Sequence, residues 1–267
     1  MTVVENPVLA MRRRELKYIL DPEQEAYFRR EIEGHMAPDE FGKTTIASLY
    51  YDTPDKRLLT RSLENPEFKE KIRLRSYGRA TMDSPVFLEL KRKAEGVVYK
   101  RRAKTTLAGA ERFFAGEALG EGQIQRELAF FRDRFETLDP AIMILYERTA
   151  YFQAGGDIRM TIDNAPRYRN VNFDLTGPEY GDPLLPPGCS ILEIKVQSAM
   201  PLWLTGILDQ GGIRKTSFSK VGEAFSLEMK RELSAKRSVE RCLNPFIQNP
   251  LPRPNSSSWR SPRCCPG

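Results

Sequence analysis

Histidine is almost missing from this chain: its 267 residues include one, His35, in a polar stretch. Chemistry built on a histidine base or on histidine metal ligands is therefore nearly excluded. Cysteine is scarce too. Cys189, Cys242, Cys264 and Cys265 are unevenly spaced and mostly near the C-terminus. That pattern argues against a disulfide framework and a zinc site, and suits a reduced, cytoplasmic protein. No run of 18 apolar residues exists, so no membrane-spanning helix is expected. The opening MTVVENPVLAMRRREL lacks the basic-then-apolar order of a secretory leader. Any metal must be held by carboxylates, which favours Mg²⁺ or Mn²⁺.

What the chain does have is charge. Charged residues make up 29% of it, apolar residues 40%, and the formal net charge is +6. The apolar share suffices for one large domain. The basic balance suggests an anionic partner and leaves nucleic acid, anionic lipid and phosphate-rich small molecules open.

Hydrophobic periodicity predicts strands over 11–20, 44–52, 69–77, 85–93, 96–105, 141–153, 157–163 and 190–197. Gly155-Gly156 marks a hairpin between the sixth and seventh. Helical spacing covers 22–34, 54–62, 106–115, 121–136, 200–210 and 219–234. No βαβ rhythm appears, which argues for an α+β fold whose antiparallel sheet or barrel carries helices outside it. Residues 1–235 make one domain. Residues 236–267 read as a disordered tail rich in Pro, Ser and Arg.

Side chains alternate between faces along a strand. Glu193 and Lys195 oppose Leu192, Ile194 and Val196; Arg159, Thr161 and Asp163 oppose Ile158, Met160 and Ile162. Glu89 and Lys91 oppose Leu88 and Leu90; Lys71, Arg73 and Arg75 oppose Ile72 and Leu74; Glu15 and Lys17 share a face. An ordinary half-exposed sheet would alternate in the same way, with its charges in water. Against that stands the triplet Glu-x-Lys, repeated at 15–17, 89–91 and 193–195. Arginines cluster on the same faces, and the helices need the apolar faces to pack on. The charged faces then look into a barrel of about eight strands, wide enough for side chains or one slim ligand. Burying unpaired cations costs several kcal/mol each, so such a lumen must be wet and filled by a polyanion.

Nine stretches now carry a resemblance: residues 11–18, SLYYDTPD (48–55), KIRLRSYG (71–78), VFLELKRK (86–93), VVYKRR (97–102), LYERTAY (145–151), RMTID (159–163), ILEIKVQ (191–197) and SFSKVGEA (217–224). Together, in this order, they resemble the polyphosphate polymerase domain of the vacuolar transporter chaperone complex and its bacterial stand-alone relatives. That group belongs to the triphosphate tunnel metalloenzyme superfamily. The resemblance implies a tunnel-shaped barrel that transfers the terminal phosphoryl group of ATP to inorganic polyphosphate, with Mn²⁺ or Mg²⁺. It places the family's basic tunnel residues on Lys17, Arg61, Arg73, Arg75, Lys91, Lys100, Arg148, Arg159 and Lys220, a phosphate contact on Ser219, and the metal-binding glutamate on Glu193. Glu15, Glu89, Lys195 and Lys215 are further candidates. Ser217 stands where the family often has lysine, and Lys215 offers a replacement charge. Arg13 stands where the cyclase and thiamine-triphosphatase branch typically has a glutamate, which argues against that branch.

Tyr50, Tyr51 and Asp52 fit either a tunnel wall or core packing with an Asp-Thr-Pro helix cap. The functional alternatives are a tripolyphosphatase or nucleoside triphosphatase of the same superfamily, a non-catalytic polyphosphate-binding subunit, and nucleic-acid binding. The last is not expected, because aromatics interleaved with the basic face are weak here.

Overall fold

A computed structural model describes residues 14–64, 67–95, 97–197 and 199–243. It forms two compact units, Met1–Ser226 and Leu227–Gly267. The elements are β1 (Arg14–Leu20), α1 (Pro22–Ile32), β2 (Ala37–Asp52), α2 (Arg57–Leu63), β3 (Lys69–Tyr77), β4 (Pro85–Ala94), β5 (Val97–Thr106), α3 (Leu107–Phe114) and α4 (Gln123–Asp133). They continue with β6 (Asp139–Phe152), β7 (Arg159–Arg169), β8 (Asp182–Pro183), β9 (Ser190–Val196), α5 (Leu202–Gln210), β10 (Lys215–Thr216) and α6 (Lys220–Leu243).

The fold is α+β, with one antiparallel sheet in the order β10-β1-β9-β7-β6-β2-β3-β4-β5 and β8 added beside β7. The ladder does not close into a ring of about eight strands. Ten strands are present among the described residues, and β5 and β10 are the two edges of the ladder.

Two apolar cores cover the outer face of this sheet. Leu58 of α2, Leu107, Ala110 and Phe113 of α3, and Leu128 and Phe131 of α4 pack on Ile72, Leu74, Leu88, Leu90, Met143 and Leu145. Phe28 and Ile32 of α1 and Leu204, Ile207 and Leu208 of α5 pack on Met160, Ile162, Leu192, Ile194 and Val196. The apolar member of each alternating strand thus meets a helix, and the charged member takes the opposite face. Hydrophobic burial makes this the preferred assignment, since fully burying one Leu or Phe is favourable by about 1.5–3 kcal/mol.

Local signals set the connections. Asp21 caps α1, accepting from Gln24 N at 2.8 Å, while the Gln24 side chain accepts from Asp21 N. Asp52 caps α2, accepting from the backbone N–H of Leu58 and Leu59 at 2.8 Å each. The β6–β7 hairpin turns through Gly155, whose φ of +68° suits glycine.

Several boundaries differ from the sequence reading. β2 starts at Ala37 rather than 44 and is irregular between Pro38 and Lys43, which hides its period. β7 runs on to Arg169. β8 and β10, two residues each, are too short to show any period. α6 continues to Leu243, past the helix end expected at 234. Residues 244–267, with Trp259, Cys264 and Cys265, lie outside the described residues, as do Arg12 and Arg13. Among the described residues no helix is long and apolar enough to cross a membrane.

The two faces of β4 make a direct test. Leu88→Ala, on the outer face, should cost about 2–5 kcal/mol in urea unfolding. Lys91→Met, on the inner face of the same strand, should not lower stability at low ionic strength.

Candidate functional site

The inner face is organised in rows, because residues paired across antiparallel strands point to the same side. On one half, Tyr50, Arg73, Glu89 and Arg102 form a row across β2, β3, β4 and β5. Beside it runs Lys71, Lys91 and Lys100, a row without a carboxylate. On the other half, Thr161, Glu193 and Lys17 form one row across β7, β9 and β1, and Arg159, Lys195 and Glu15 the next. The Glu-x-Lys triplets of β1 and β9 therefore interlock, Glu15 facing Lys195 and Lys17 facing Glu193.

Glu89 is the counter-charge of the first half. It is 2% exposed, accepts from Arg73 Nε at 2.7 Å, and pairs with Lys100 at 2.7 Å and Arg102 at 3.4 Å. Burial pushes its carboxyl up, but the charges of Arg73, Arg75 and Lys100 outweigh burial and hold it down to about 2. Tyr50 accepts from Arg73 at 2.8 Å. Burial raises its phenol, yet Arg73, Lys71 and Arg75 bring it down to about 8. Arg75 is buried between Ser48, to which it donates at 3.3 Å, and Tyr146.

Asp163 is the counter-charge of the second half. It is fully buried, accepts two bonds from Arg148 at 2.6 and 2.8 Å, and pairs with Lys220 at 2.5 Å. Burial works against its charge; Lys220 and Arg148 prevail and keep it ionised. Glu193 pairs with Lys195 at 2.5 Å. Burial again pushes up, and Lys195, Lys17 and Arg148 bring it down to about 2.

The short turn Phe218–Lys220 ties the two halves together. Lys17 of β1 donates to Phe218 O at 3.1 Å, Lys71 of β3 lies 3.5 Å from Ser219 Oγ, and Lys220 reaches Asp163 of β7. In the sheet, β1 and β3 are separated by β9, β7, β6 and β2. Both walls can meet one turn only if the sheet curls round its charged face. Val221, Ala224 and Phe225, in the first turns of α6, are buried beyond it.

Lys17, Arg73, Arg75, Arg148, Ser219, Lys220, Glu15, Glu89, Glu193 and Lys195 are thus gathered on one enclosed face, with Lys91 and Lys100 on its wall. Arg159 lies at the start of β7 in the row of Lys195. It is exposed and makes no ion pair among the described residues. Two candidates fall elsewhere. Arg61 sits on α2 over Phe68 and lines an outer cleft with Arg57, Glu70 and Arg134, because α2 packs on the outer core through Leu58. Lys215 pairs with Tyr18, whose side chain belongs to the outer core, so it faces away from the enclosure; Thr216 takes the inner position opposite Lys17. Lys215 therefore does not replace the charge absent at Ser217.

Lys71, Asp163 and Tyr146 lie beside these residues although the resemblance did not point to them, and Tyr50 takes the tunnel-wall position rather than a core one. The alternation of β3 and β7 already put Lys71 and Asp163 on the charged faces. That signal lacked the partners, which come from distant segments.

The donor set bears on a metal ion. Among the described residues no group of three His, Cys, Asp or Glu side chains could hold one. Glu89 and Asp163 are each held by two or more cations, and Glu193 is paired with Lys195. Glu193 lies opposite Thr161, whose buried Oγ1 has no hydrogen-bond partner. One carboxylate and one hydroxyl fit a divalent ion that takes most of its ligands from substrate phosphates, the usual habit of Mg²⁺.

The Glu89 cluster gives a pH prediction. Its folded carboxyl titrates near about 2, against an unfolded value of 4.5. Its stabilisation is present above the unfolded value and is lost as pH falls toward the folded one. Urea unfolding at about pH 5 and about pH 3 should therefore show a larger loss for the wild type than for Glu89→Gln.

Comparison with known proteins now bears on this geometry. Among solved structures, the chain is similar to a candidate adenylate cyclase of Bacillus halodurans, with 14% identity, a TM-score of 0.49, and 77% of this chain and 92% of that one covered. It is also similar to a candidate adenylyl cyclase of Hippeastrum described as having a dominant triphosphatase activity, with 17% identity, a TM-score of 0.48, and 77% and 91% covered. No curated protein matches it. The VTC domain, as a family, matches residues 12–228, which takes in every strand of the sheet and the turn that joins its walls, and the chain belongs to that family.

Proposed function

We propose that this protein is a metal-dependent polyphosphate polymerase, which transfers the terminal phosphoryl group of ATP to a growing chain of inorganic polyphosphate. The observation that carries the reading is the pairing of a lysine row, Lys71, Lys91 and Lys100, with Glu193, which faces the unpartnered hydroxyl of Thr161, inside one curled sheet. A phosphate chain needs a track of cations along its length. The phosphoryl group in transfer needs charge neutralised on its equatorial oxygens.

In this reading Arg73, Arg75, Arg148 and Lys220 hold the triphosphate of ATP, and Ser219 donates to it from the turn. A Mg²⁺ or Mn²⁺ ion bound by Glu193 would neutralise charge on the phosphates. A terminal oxygen of the polyphosphate attacks the γ-phosphorus, and the bond to the β–γ bridging oxygen breaks. ADP leaves with the electron pair, so no protein nucleophile or base is required. The absence of histidine from the site is then no handicap. Arginine suits the positions that must stay charged, because its guanidinium does not deprotonate and forks onto phosphate oxygens.

Incubation with ATP and Mn²⁺ should yield long polyphosphate, resolved by gel electrophoresis. Free phosphate as the sole product would instead make the protein a triphosphatase, and binding without turnover would make it a polyphosphate-binding subunit. Glu193→Gln should lower metal-dependent turnover by about 10²–10³-fold while leaving metal-free tripolyphosphate binding in place. Arg73→Ala should weaken tripolyphosphate binding by about 10–100-fold, the loss of a charge-assisted hydrogen bond.

A further inference from the structure

Lys71, like its neighbour Lys91, makes no ion pair with a carboxylate among the described residues, and it is the one of the two that reaches the turn. It is half-buried on β3. Its strand neighbour is Lys91 of β4, and Lys100 of β5 lies beyond in the same row. Its ammonium lies 3.5 Å from Ser219 Oγ at the turn that joins the two walls. The charged and titratable groups that face it are Lys69 on its own strand, Lys91 on β4, Lys17 on β1 and Tyr50 on β2. None of these is a carboxylate. Glu89, in the adjoining row, is held by Arg73 and Lys100, and Asp52 of β2 is turned to the start of α2.

We propose that Lys71 is a specificity-determining residue that takes up a fraction of a proton from solvent as a phosphate chain seats against it, so that above neutral pH the site gains its full charge only when a highly charged ligand is present. The proposal rests on the reading of the enclosure as a phosphate-chain site and adds a proton to its binding equilibrium. The balance is simple: the neutral amine accepts one proton from solvent, the ammonium pairs with phosphate oxygens, and no bond of the ligand changes.

The electrostatics agree with the geometry. Burial is the main force lowering Lys71, Tyr50 partly opposes it, and Lys69, Lys91 and Lys17 add to it, leaving the amine at about 8. An anion placed between Lys71, Lys91 and Ser219 cancels the repulsion and raises the amine again. A compact, weakly charged anion cancels less of it than a chain carrying a charge on every phosphate. Lysine serves here where arginine would not, because only lysine can shed its charge while the site is empty. The partner that complicates the measurement is Tyr50, brought to about 8 by the same cations, since an entering anion would return its proton as well.

Calorimetry of tripolyphosphate binding without metal, near about pH 8 in buffers of different ionisation enthalpy, reads the protons taken up. The wild type should take up a fraction of a proton beyond that of the ligand itself. Lys71→Arg, permanently charged, should bind with a smaller uptake, the remainder being that of Tyr50, and Tyr50→Phe should keep the share of Lys71. From about pH 7 to about pH 9 the wild-type affinity should fall about 10-fold relative to Lys71→Arg. Equal uptake in the wild type and Lys71→Arg, or loss of the uptake in Tyr50→Phe alone, overturns the proposal and leaves the phosphate-chain reading standing. Failure of the wild type to bind tripolyphosphate overturns both.

Discussion

The structure depends on holding many like charges close together on one wall. Glu89 and Asp163 make this tolerable: each is buried and each is gripped by several cations. A buried ion pair is weak evidence for stability in itself, since desolvation offsets most of the attraction. Its role here is positional. The carboxylates fix Arg73 and Arg148 in place and leave the guanidinium and ammonium groups beside them arranged for an anion. The stabilising free energy comes from elsewhere, from the two apolar cores on the opposite face. The molecule separates what holds it together from what it offers a ligand, one face of each strand for each purpose.

That separation explains why so much could be read from the chain. A strand with a helix on one side and charge on the other prints its orientation directly, and β3, β4 and β9 were legible almost to the residue. The charged faces of β1, β7 and β9 were assigned by the same alternation. What escaped were relations between segments far apart. Nothing in the sequence near Asp163 says that Arg148 and Lys220 will both point at it. Nothing near Lys215 says that its partner across the ladder is Tyr18, which turns it outward. Arg61 was misplaced for a related reason: α2 is short, and only its packing through Leu58 decides which side its arginine takes.

The family assignment and the geometry answer different questions. Membership of the VTC domain family covers the whole sheet and fixes the kind of protein. The arrangement of rows describes how its charge is distributed. One half carries lysines in an unbroken line, and the other alternates acid and base across β1 and β9. The enclosure thus has two unlike walls.

The turn at Phe218–Lys220 has a consequence in time. The residues it joins to Lys17 stand 201 positions further along the chain. Contacts of such separation form late, because the intervening loop must first be closed. A ribosome releases Lys17 well before Phe218, with nearly all of the sheet between them. Until then the two walls are separate charged surfaces. The join between the two walls is therefore completed by residues that arrive after all ten strands of the sheet have been made.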